Sequence, residues 1–242
     1  MAAAVKLDIL AFGAHPDDVE LSAAGTLLKQ KSLGNSIGII DLTAGELGTR
    51  GNAATRAAEA AEAALILGLS ARENLGFADG FFTNDEEHQR AIIRIIRKYQ
   101  PRVVLANALS DRHPDHGRAA ELVARACFLS GLRRIETWLE DEVQEAWRPD
   151  QVFHYIQDRH AKPDFVVDIT PFWEGKMKAI KAFTTQFHNP NANEPQTPIS
   201  GKDFIHFLEA RAREMGRISS VAFAEGFHVQ RAPMVHSLMD LS

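Results

Sequence analysis

Short apolar runs alternate along the chain with longer stretches in which apolar residues recur at helical spacing. The first run, from Ile9 to Phe12, is short and continuous, which is typical of a strand buried on both faces. The next stretch carries apolar residues three or four positions apart between Leu21 and Leu28, and Gly34 ends it, so it predicts an amphipathic helix. The same reasoning predicts strands at 7–14, 36–42, 74–77, 103–107, 152–157 and 165–169. It predicts helices at 17–31, 53–67, 86–99, 117–129, 171–183 and 201–216.

Strands that alternate with helices in this way predict a fold class. Such an order is typical of α/β proteins, in which helices cover both faces of a mostly parallel sheet. We find no repeat and no Pro- or Gly-rich linker, so we expect residues 1–242 to form one domain, a Rossmann-like three-layer sandwich. The stretch 187–198 is rich in Asn and Pro and predicts a surface loop, of a kind that often carries function.

The composition narrows the class of protein. Hydrophobic residues make up 45% of the 242 residues, and no apolar run reaches the length of about 20 residues that spans a bilayer. The net charge is −5, with Arg and Lys interleaved among acids, so we expect neither a nucleic acid nor a membrane as partner. The N-terminal residues lack the pattern of a signal peptide, which favours a cytoplasmic location. The single cysteine, Cys127, excludes an internal disulfide and is expected in the core.

Polar clusters follow two of the predicted strands at the point where a helix begins. His15, Asp17 and Asp18 come directly after the first strand, and His113 and His116 follow the fourth. Because ligands of such sheets bind outside the carboxyl ends of the strands, we expect both clusters at one edge. Two imidazoles and one carboxylate are a common ligand set of zinc in hydrolases, and they leave one position for water. The neighbouring carboxylate can then face that water as a general base.

The same residues have simpler interpretations. Asp17 can cap the helix and Asp18 can be solvated in its first turn, because acids favour helix N-termini. His113 and His116 can be structural residues of a loop and a helix start. A non-enzymatic Rossmann-like binding module is a further alternative, although the turn after the first strand lacks the glycine-rich run of a dinucleotide site and its carboxylates would repel phosphates.

Two motifs carry a resemblance to a known family. The segment 14–20, Ala-His-Pro-Asp-Asp-Val-Glu, and the segment 113–116, His-Pro-Asp-His, resemble the motifs of the PIG-L/LmbE deacetylases. The resemblance extends over nearly the whole chain through the segments 43–51, 74–80, 186–190 and 224–227. These further segments resemble the branch of the family that makes bacillithiol. The resemblance therefore implies removal of the N-acetyl group from N-acetylglucosaminyl malate, a small amino-sugar substrate, by a homo-oligomer (a trimer or hexamer).

Matching the motifs position by position implies a role for each residue of the first cluster. His15, Asp18 and His116 match metal ligands, with zinc as the expected ion and other divalent metals as alternatives. Asp17 matches the general base that takes a proton from water and returns it to the departing amine.

The second motif supplies the expected stabilisation of the oxyanion. His113 matches the residue that assists the oxyanion or the leaving amine, and Asp115 matches the carboxylate that orients His113 and favours its protonated form. Several relatives add a tyrosine near the site, but this chain has only Tyr99 and Tyr155, and Phe223 stands where a tyrosine is more typical. We therefore expect either His113 alone or another group to take over that task.

Three further residues are candidate substrate contacts. Arg50 follows the second strand and can pair with a malate carboxylate or be solvated. Asp79 can contact sugar hydroxyls or serve a turn beside Gly80, and His188 lies in the Asn- and Pro-rich loop. Arg56, at the start of a helix, is expected to be exposed. The same chemistry also fits other substrates, such as a chitooligosaccharide or a thiol conjugate.

Overall fold

Alternating strands and helices build one central sheet, and the computed structural model describes residues 5–187 and 194–240. The larger strands are β1 (Ile9–Gly13), β2 (Ile37–Thr43), β3 (Ala71–Phe77), β4 (Val103–Ala106), β7 (Gln151–Tyr155), β8 (Phe165–Asp168) and β9 (Ala224–Val229), and β5 (Trp138–Leu139) pairs with β6 (Glu142–Val143) in a separate hairpin. The helices are α1 (Asp18–Ser32), α2 (Ala53–Leu67), α3 (Glu86–Tyr99), α4 (Pro114–Ser130), α5 (Trp173–Lys181) and α6 (Lys202–Ile218).

The seven strands of the sheet lie in the order β3-β2-β1-β4-β7-β9-β8. The first five in this order pair in parallel, whereas β9 is antiparallel to both of its neighbours. The chain winds outward from β1 to β3 and then returns to β4 on the other side of β1. The carboxyl ends of β1 and β4 therefore flank the point where the strand order reverses, which is where α/β sheets bind ligands.

Helices cover both faces of the sheet. Along β1, Leu10 and Phe12 contact the core formed with α3 and α4, whereas Ile9 and Ala11 contact the core formed with α1 and α5. This alternation follows from the two-residue repeat of a strand. All four side chains are buried, which explains why β1 reads as a continuous apolar run. The predicted α/β domain with a mostly parallel sheet between two helical layers is confirmed.

Some elements differ from those expected. α4 begins at Pro114 rather than at residue 117, so the second motif forms the N-terminus of this helix. A proline is favoured at the first position of a helix, where its missing N–H costs nothing. The strand β9 was not expected, because Glu225 and Gly226 interrupt its apolar pattern. Glu225 is nevertheless buried, and Lys176 Nζ donates to its Oε1 at 2.6 Å.

Cys127 lies in the core, as expected. It is buried among the α3 and α4 side chains, and burial raises the pKa of its thiol well above the ordinary value. No helix within the described part of the chain is long and apolar enough to cross a membrane.

Candidate active site

The chain turns sharply where β1 meets α1. Asp17 has a φ of 116°, a region that residues other than glycine rarely adopt and that costs on the order of 1–3 kcal/mol. Asp17 stands at the N-cap position of α1, but its side chain makes no capping hydrogen bond. The interpretation of Asp17 as a simple helix cap is therefore wrong, and its carboxylate is free to contact other groups.

The second polar cluster lies where the loop after β4 enters α4. His113 is the N-cap of α4, and its Nδ1 accepts a hydrogen bond from the backbone N–H of Asp115 at 3.3 Å. Pro114 follows as the first helical residue, so His116 lies within the first turn of the helix. The rings of His15 and His113 meet edge to face with centroids 4.6 Å apart, which brings the two junctions together at one edge of the sheet.

Asp18 lies between two imidazoles. Its Oδ2 is 3.6 Å from His15 Nδ1, and its Oδ1 is 3.1 Å from His116 Nε2. Two amides hold this carboxylate in place, because Asn107 Nδ2 donates to Oδ2 at 3.0 Å and Gln157 Nε2 donates to Oδ1 at 3.2 Å. Burial opposes the ionisation of Asp18, but His116 and His15 outweigh it and hold its pKa well below the ordinary value.

Each of these imidazoles has further carboxylate partners on its other nitrogen. His116 Nδ1 lies 2.5 Å from Asp111 Oδ2, and His15 Nε2 lies 3.0 Å from Asp79 Oδ1 and 3.3 Å from Asp115 Oδ2. Burial alone would lower the pKa of His116, but Asp18 and Asp111 raise it to about 9. A carboxylate on one nitrogen of an imidazole fixes the ring orientation and its tautomer, as it commonly does for histidines that bind metals.

Asp17 pairs with Arg56 of α2. Arg56 Nη2 donates to Asp17 Oδ2 at 3.0 Å and to the Pro16 carbonyl oxygen at 2.5 Å, and both side chains are buried. The guanidinium packs against Gly45, where any larger side chain would collide with it. Burial raises the pKa of Asp17 to about 7, although the Arg56 charge opposes this rise. A carboxyl group whose pKa is raised in this way can both accept and donate a proton near neutral pH.

The contacts of Asp115 differ from those expected. Its carboxylate was expected to orient His113, but it accepts instead from the Gly80 N–H at 2.9 Å and from Arg118 Nη1 at 2.7 Å, and it contacts His15. The first turn of α4 carries Asp115 toward the β3–α3 loop, on the His15 side of the cluster. Burial and the charges of His15 and His116 lower the pKa of His113, which disfavours the cationic form that was expected.

The donor groups fit a divalent metal. Among the described residues, the ligand atoms of His15, His113 and His116 lie within 4.8 Å of one another, and so do those of His15, Asp79 and Asp115. Asp18 contacts His15 and His116 but belongs to neither of these two groups. Clustered imidazoles and carboxylates are the donors that zinc and similar ions prefer. The residues thus form a candidate metal site, and His15, Asp18 and His116 stay its predicted ligands.

The cluster opens into a cavity of about 280 Å³. Asp17, Asp18 and His113 line its polar side, whereas Phe204 and Leu208 of α6 contribute apolar surface. A cavity with an apolar wall and a few convergent polar groups is the usual form of a site for a small molecule.

The predicted substrate contacts are placed differently from one another. Asp79 lines the cavity, where it holds His15 and accepts the Leu47 N–H at 2.9 Å. Arg50 is buried outside the set of described residues that line the cavity, and its Nε donates to Glu194 Oε2 at 3.2 Å. His188 lies outside the described residues.

Sequence reasoning missed several residues of the site. Arg56 was expected to be exposed, but it is buried against Asp17, a contact that the apolar pattern of α2 does not reveal. Asn107 and Gln157 follow the neighbouring strands β4 and β7, and both donate to the carboxylate of Asp18. Asp111 lies two residues before the second motif, and its contact with His116 was also missed. Its closeness to His116 in the sequence was the one signal that could have indicated this contact.

Phe223 does not replace the missing tyrosine. Its ring stacks on Trp173 with centroids 4.5 Å apart, and Arg213 packs over its other side. Phe223 lies outside the described residues that line the cavity. Tyr155 is buried, and its hydroxyl donates to the Phe12 carbonyl oxygen at 2.7 Å, so it serves the core of the sheet. Tyr99 lies at the C-terminal end of α3 and donates to Glu73.

Comparisons with known proteins agree with this fold. The sequence model of PIG-L, described as GlcNAc-PI de-N-acetylase, matches residues 10–127. The conserved protein TT1542 from Thermus thermophilus has a structure that superposes with a TM-score of 0.84 at 36% identity, over 96% of this chain and 98% of that one. The uncharacterized deacetylase YaiS of Escherichia coli is 31% identical over 63% of this chain and 83% of its own length. The diacetylchitobiose deacetylase of Thermococcus kodakarensis is 26% identical over 94% of this chain and 85% of its own.

An α/β sheet with a His- and Asp-rich cluster at its switch point fits the class of metal-dependent hydrolases. These matches go further, since they cover most of the chain at up to 36% identity. The chain belongs to the PIG-L family of deacetylases.

Proposed function

We propose that this protein is a metal-dependent deacetylase that releases acetate from N-acetylglucosaminyl malate. The observation that carries the proposal is the position of the Asp17 carboxylate, which lines the same cavity as His15, Asp18, His113 and His116. A proton-transferring carboxylate beside a cluster of metal-binding donors is the arrangement that metal-dependent amide hydrolysis uses.

The metal would be held by His15, Asp18 and His116, with zinc as the proposed ion. The contacts between Asp18 and both imidazoles support this set, and Asp111 behind His116 supports the orientation of that ring. When bound, a divalent ion supplies Lewis acidity toward the amide carbonyl and toward water.

Asp17 is proposed as the group that moves the proton. In its ionised form it accepts a proton from the attacking water, and it then delivers this proton to the amine nitrogen as the C–N bond breaks. Arg56 stabilises the ionised form through its hydrogen bond to Oδ2, and the strained turn at φ 116° fixes the carboxylate. The products of this reaction are acetate and the free amino sugar.

His113 is proposed to bind the carbonyl oxygen as negative charge develops on it. Because its Nδ1 accepts the Asp115 N–H, a neutral ring carries its proton on Nε2. His113 therefore acts as a neutral hydrogen-bond donor, and such donors, fixed before the reaction starts, stabilise an oxyanion effectively. The Asp115 carboxylate acts indirectly, since it holds His15 and the Gly80 backbone.

The substrate class follows from the cavity and the relatives. The family name refers to an N-acetylglucosamine derivative, and so does the name of the Thermococcus relative, so an N-acetylglucosamine unit is the proposed core of the substrate. The malate portion rests on the resemblance of further segments of the chain to the bacillithiol branch. Asp79, at the cavity wall, is the proposed contact for sugar hydroxyls, which it would bind in addition to its hydrogen bond with His15.

The test is the release of free amine from three substrates by zinc-loaded protein and by protein treated with a chelator. The substrates are N-acetylglucosaminyl malate, N-acetylglucosamine and diacetylchitobiose. Metal-dependent release with a strong preference for the malate glycoside supports the proposal. Preference for diacetylchitobiose would overturn the substrate assignment but leave the proposed deacetylase reaction standing. No release of amine from any of the three substrates would contradict the deacetylase activity itself.

A further inference from the structure

Arg211 is the one cavity-lining arginine without an ion pair among the described residues. It lies on α6 and lines the cavity beside Phe207, with its Cζ 5.4 Å from the centroid of that ring. Its hydrogen bond within the described ranges is a long one, from Nη2 to the Leu21 carbonyl oxygen at 3.4 Å. Lys176 Nζ already donates to that same oxygen at 2.9 Å.

The other two arginines of the cavity are satisfied by carboxylates. Arg56 donates to Asp17 at 3.0 Å, and Arg112 donates to Asp158 Oδ2 at 2.9 Å. A guanidinium has five N–H donors in a fixed fork that matches a carboxylate or phosphate. Arg211 thus presents most of its donors without a protein acceptor in the described part of the chain.

The surroundings of Arg211 make an anionic ligand favourable. Burial lowers the pKa of Arg211, and the nearest acids, Asp158, Asp111 and Glu225, oppose this only through space. An arginine stays protonated at neutral pH, so this half-buried side chain carries a positive charge without a direct ion-pair partner among the described residues. A carboxylate or phosphate from a ligand would supply the missing partner through charge-assisted hydrogen bonds.

We propose that Arg211 binds an anionic group on the amino-sugar part of the substrate, the part that remains after acetate is released. Arg211 would thus select anionic N-acetylglucosaminides over neutral ones. This inference rests on the proposed function and deepens it. The apolar surface of Phe204 and Phe207 on the same helix excludes water around that group and strengthens its interaction with the guanidinium. Arg50, which was the expected carboxylate contact, is paired with Glu194 outside the cavity lining, so Arg211 takes that task in its place.

The test compares Arg211→Gln and Arg211→Lys with the wild type in the zinc-loaded protein. The substrates are N-acetylglucosaminyl malate, which carries carboxylates, N-acetylglucosamine 1-phosphate, which carries a phosphate, and neutral N-acetylglucosamine. We expect Arg211→Gln to lower kcat/KM for the preferred anionic substrate by about 10- to 100-fold more than for the neutral one, mainly through KM. Arg211→Lys should recover part of this loss, because it restores the charge without the planar fork. The anionic substrate that shows the larger effect identifies the group as a carboxylate or a phosphate.

A matched control lies on the same helix. Arg213 is exposed, pairs with Glu209 and lies outside the cavity lining. Arg213→Gln makes the same change of charge, and it should leave kcat/KM for all three substrates unchanged. Equal losses on anionic and neutral substrates in Arg211→Gln would overturn the proposal.

Calorimetric binding of the amine product glucosaminyl malate, compared with glucosamine, separates this inference from the proposed function. If no substrate is turned over but glucosaminyl malate binds the wild type and not Arg211→Gln, the function fails and the role of Arg211 stands. If turnover occurs and the variant binds glucosaminyl malate as tightly as the wild type, the role of Arg211 fails and the function stands.

Discussion

The Arg56 guanidinium donates a hydrogen bond to Asp17 Oδ2 at 3.0 Å. Asp17 stands at the start of α1, whereas Arg56 lies on the next helix, α2, which begins at residue 53. Both side chains are buried, so the charge of Arg56 acts on Asp17 with little screening by water. Burial raises the pKa of Asp17, and the Arg56 charge favours the ionised form of this group, which we propose to move the proton.

Removal of the Arg56 charge should shift the pH dependence of activity. Arg56 opposes the rise in the pKa of Asp17, which burial already brings to about 7, so Arg56→Met should raise that pKa further. Because Asp17 must be ionised to accept a proton, the acidic limb of kcat/KM against pH should move to higher pH by about one unit or more. Arg56→Lys, which keeps the charge, should move it less. Superimposable profiles for wild type and Arg56→Met would show that Asp17 does not set this limb.

The proposed ligands can be tested by metal content. We expect His15→Ala, Asp18→Ala and His116→Ala each to lose bound zinc, as measured by atomic emission after dialysis against low free zinc. Asp111→Asn should keep the ligands but weaken zinc binding by about 10- to 100-fold, because Asp111 orients the His116 ring. Asp150→Asn, at an exposed surface pair with Arg102, is the control. Full zinc content in all three alanine variants would refute the ligand set.

The buried pair of Lys176 and Glu225 should matter for stability. Lys176 Nζ lies 2.6 Å from Glu225 Oε1, and the Glu225 carboxylate also accepts the backbone N–H groups of Gly25 and Thr26 in α1. Lys176→Met leaves a buried carboxylate without its cation, so it should lower the free energy of unfolding by about 3 kcal/mol in urea titrations. Lys178→Met, at an exposed position of α5, should change it by less than about 0.5 kcal/mol. Similar values for the two variants would mean that the pair is not stabilising.

Cys127 should be inert toward thiol reagents in the folded protein. It is buried, burial raises the pKa of its thiol, and it is the single cysteine of the chain, so the signal has one source. The thiolate is the reactive form, so an aromatic disulfide reagent should titrate no thiol until denaturant unfolds the chain. Rapid stoichiometric labelling of the native protein would contradict the assignment of Cys127 to the core.

The sequence allows the sheet and the two polar clusters to be predicted because their signals are local. The apolar run of β1 and the helical spacing after it predict a strand–helix unit, and the histidines stand directly at such junctions. The strand β9 was not predicted because Glu225 breaks its apolar pattern. The burial of this glutamate depends on its contact with Lys176, which is far away in the sequence.

The remaining parts of the site depend on contacts between distant segments. Arg56, Asn107 and Gln157 look like ordinary polar residues until the fold brings them to Asp17 and Asp18. The orientation of Asp115 was expected wrongly for the same reason, since its partners at Gly80 and His15 belong to other loops.

The central claim is that Asp17 moves the proton during amide hydrolysis at a metal site, and Asp17→Asn tests it most directly. The variant keeps the size of the side chain and should retain one equivalent of zinc, because Asp17 is not a proposed ligand. Its kcat for release of amine from N-acetylglucosaminyl malate should fall by about 100-fold or more, as expected for loss of a general base. Zinc-loaded Asp17→Asn with near wild-type kcat would contradict the claim.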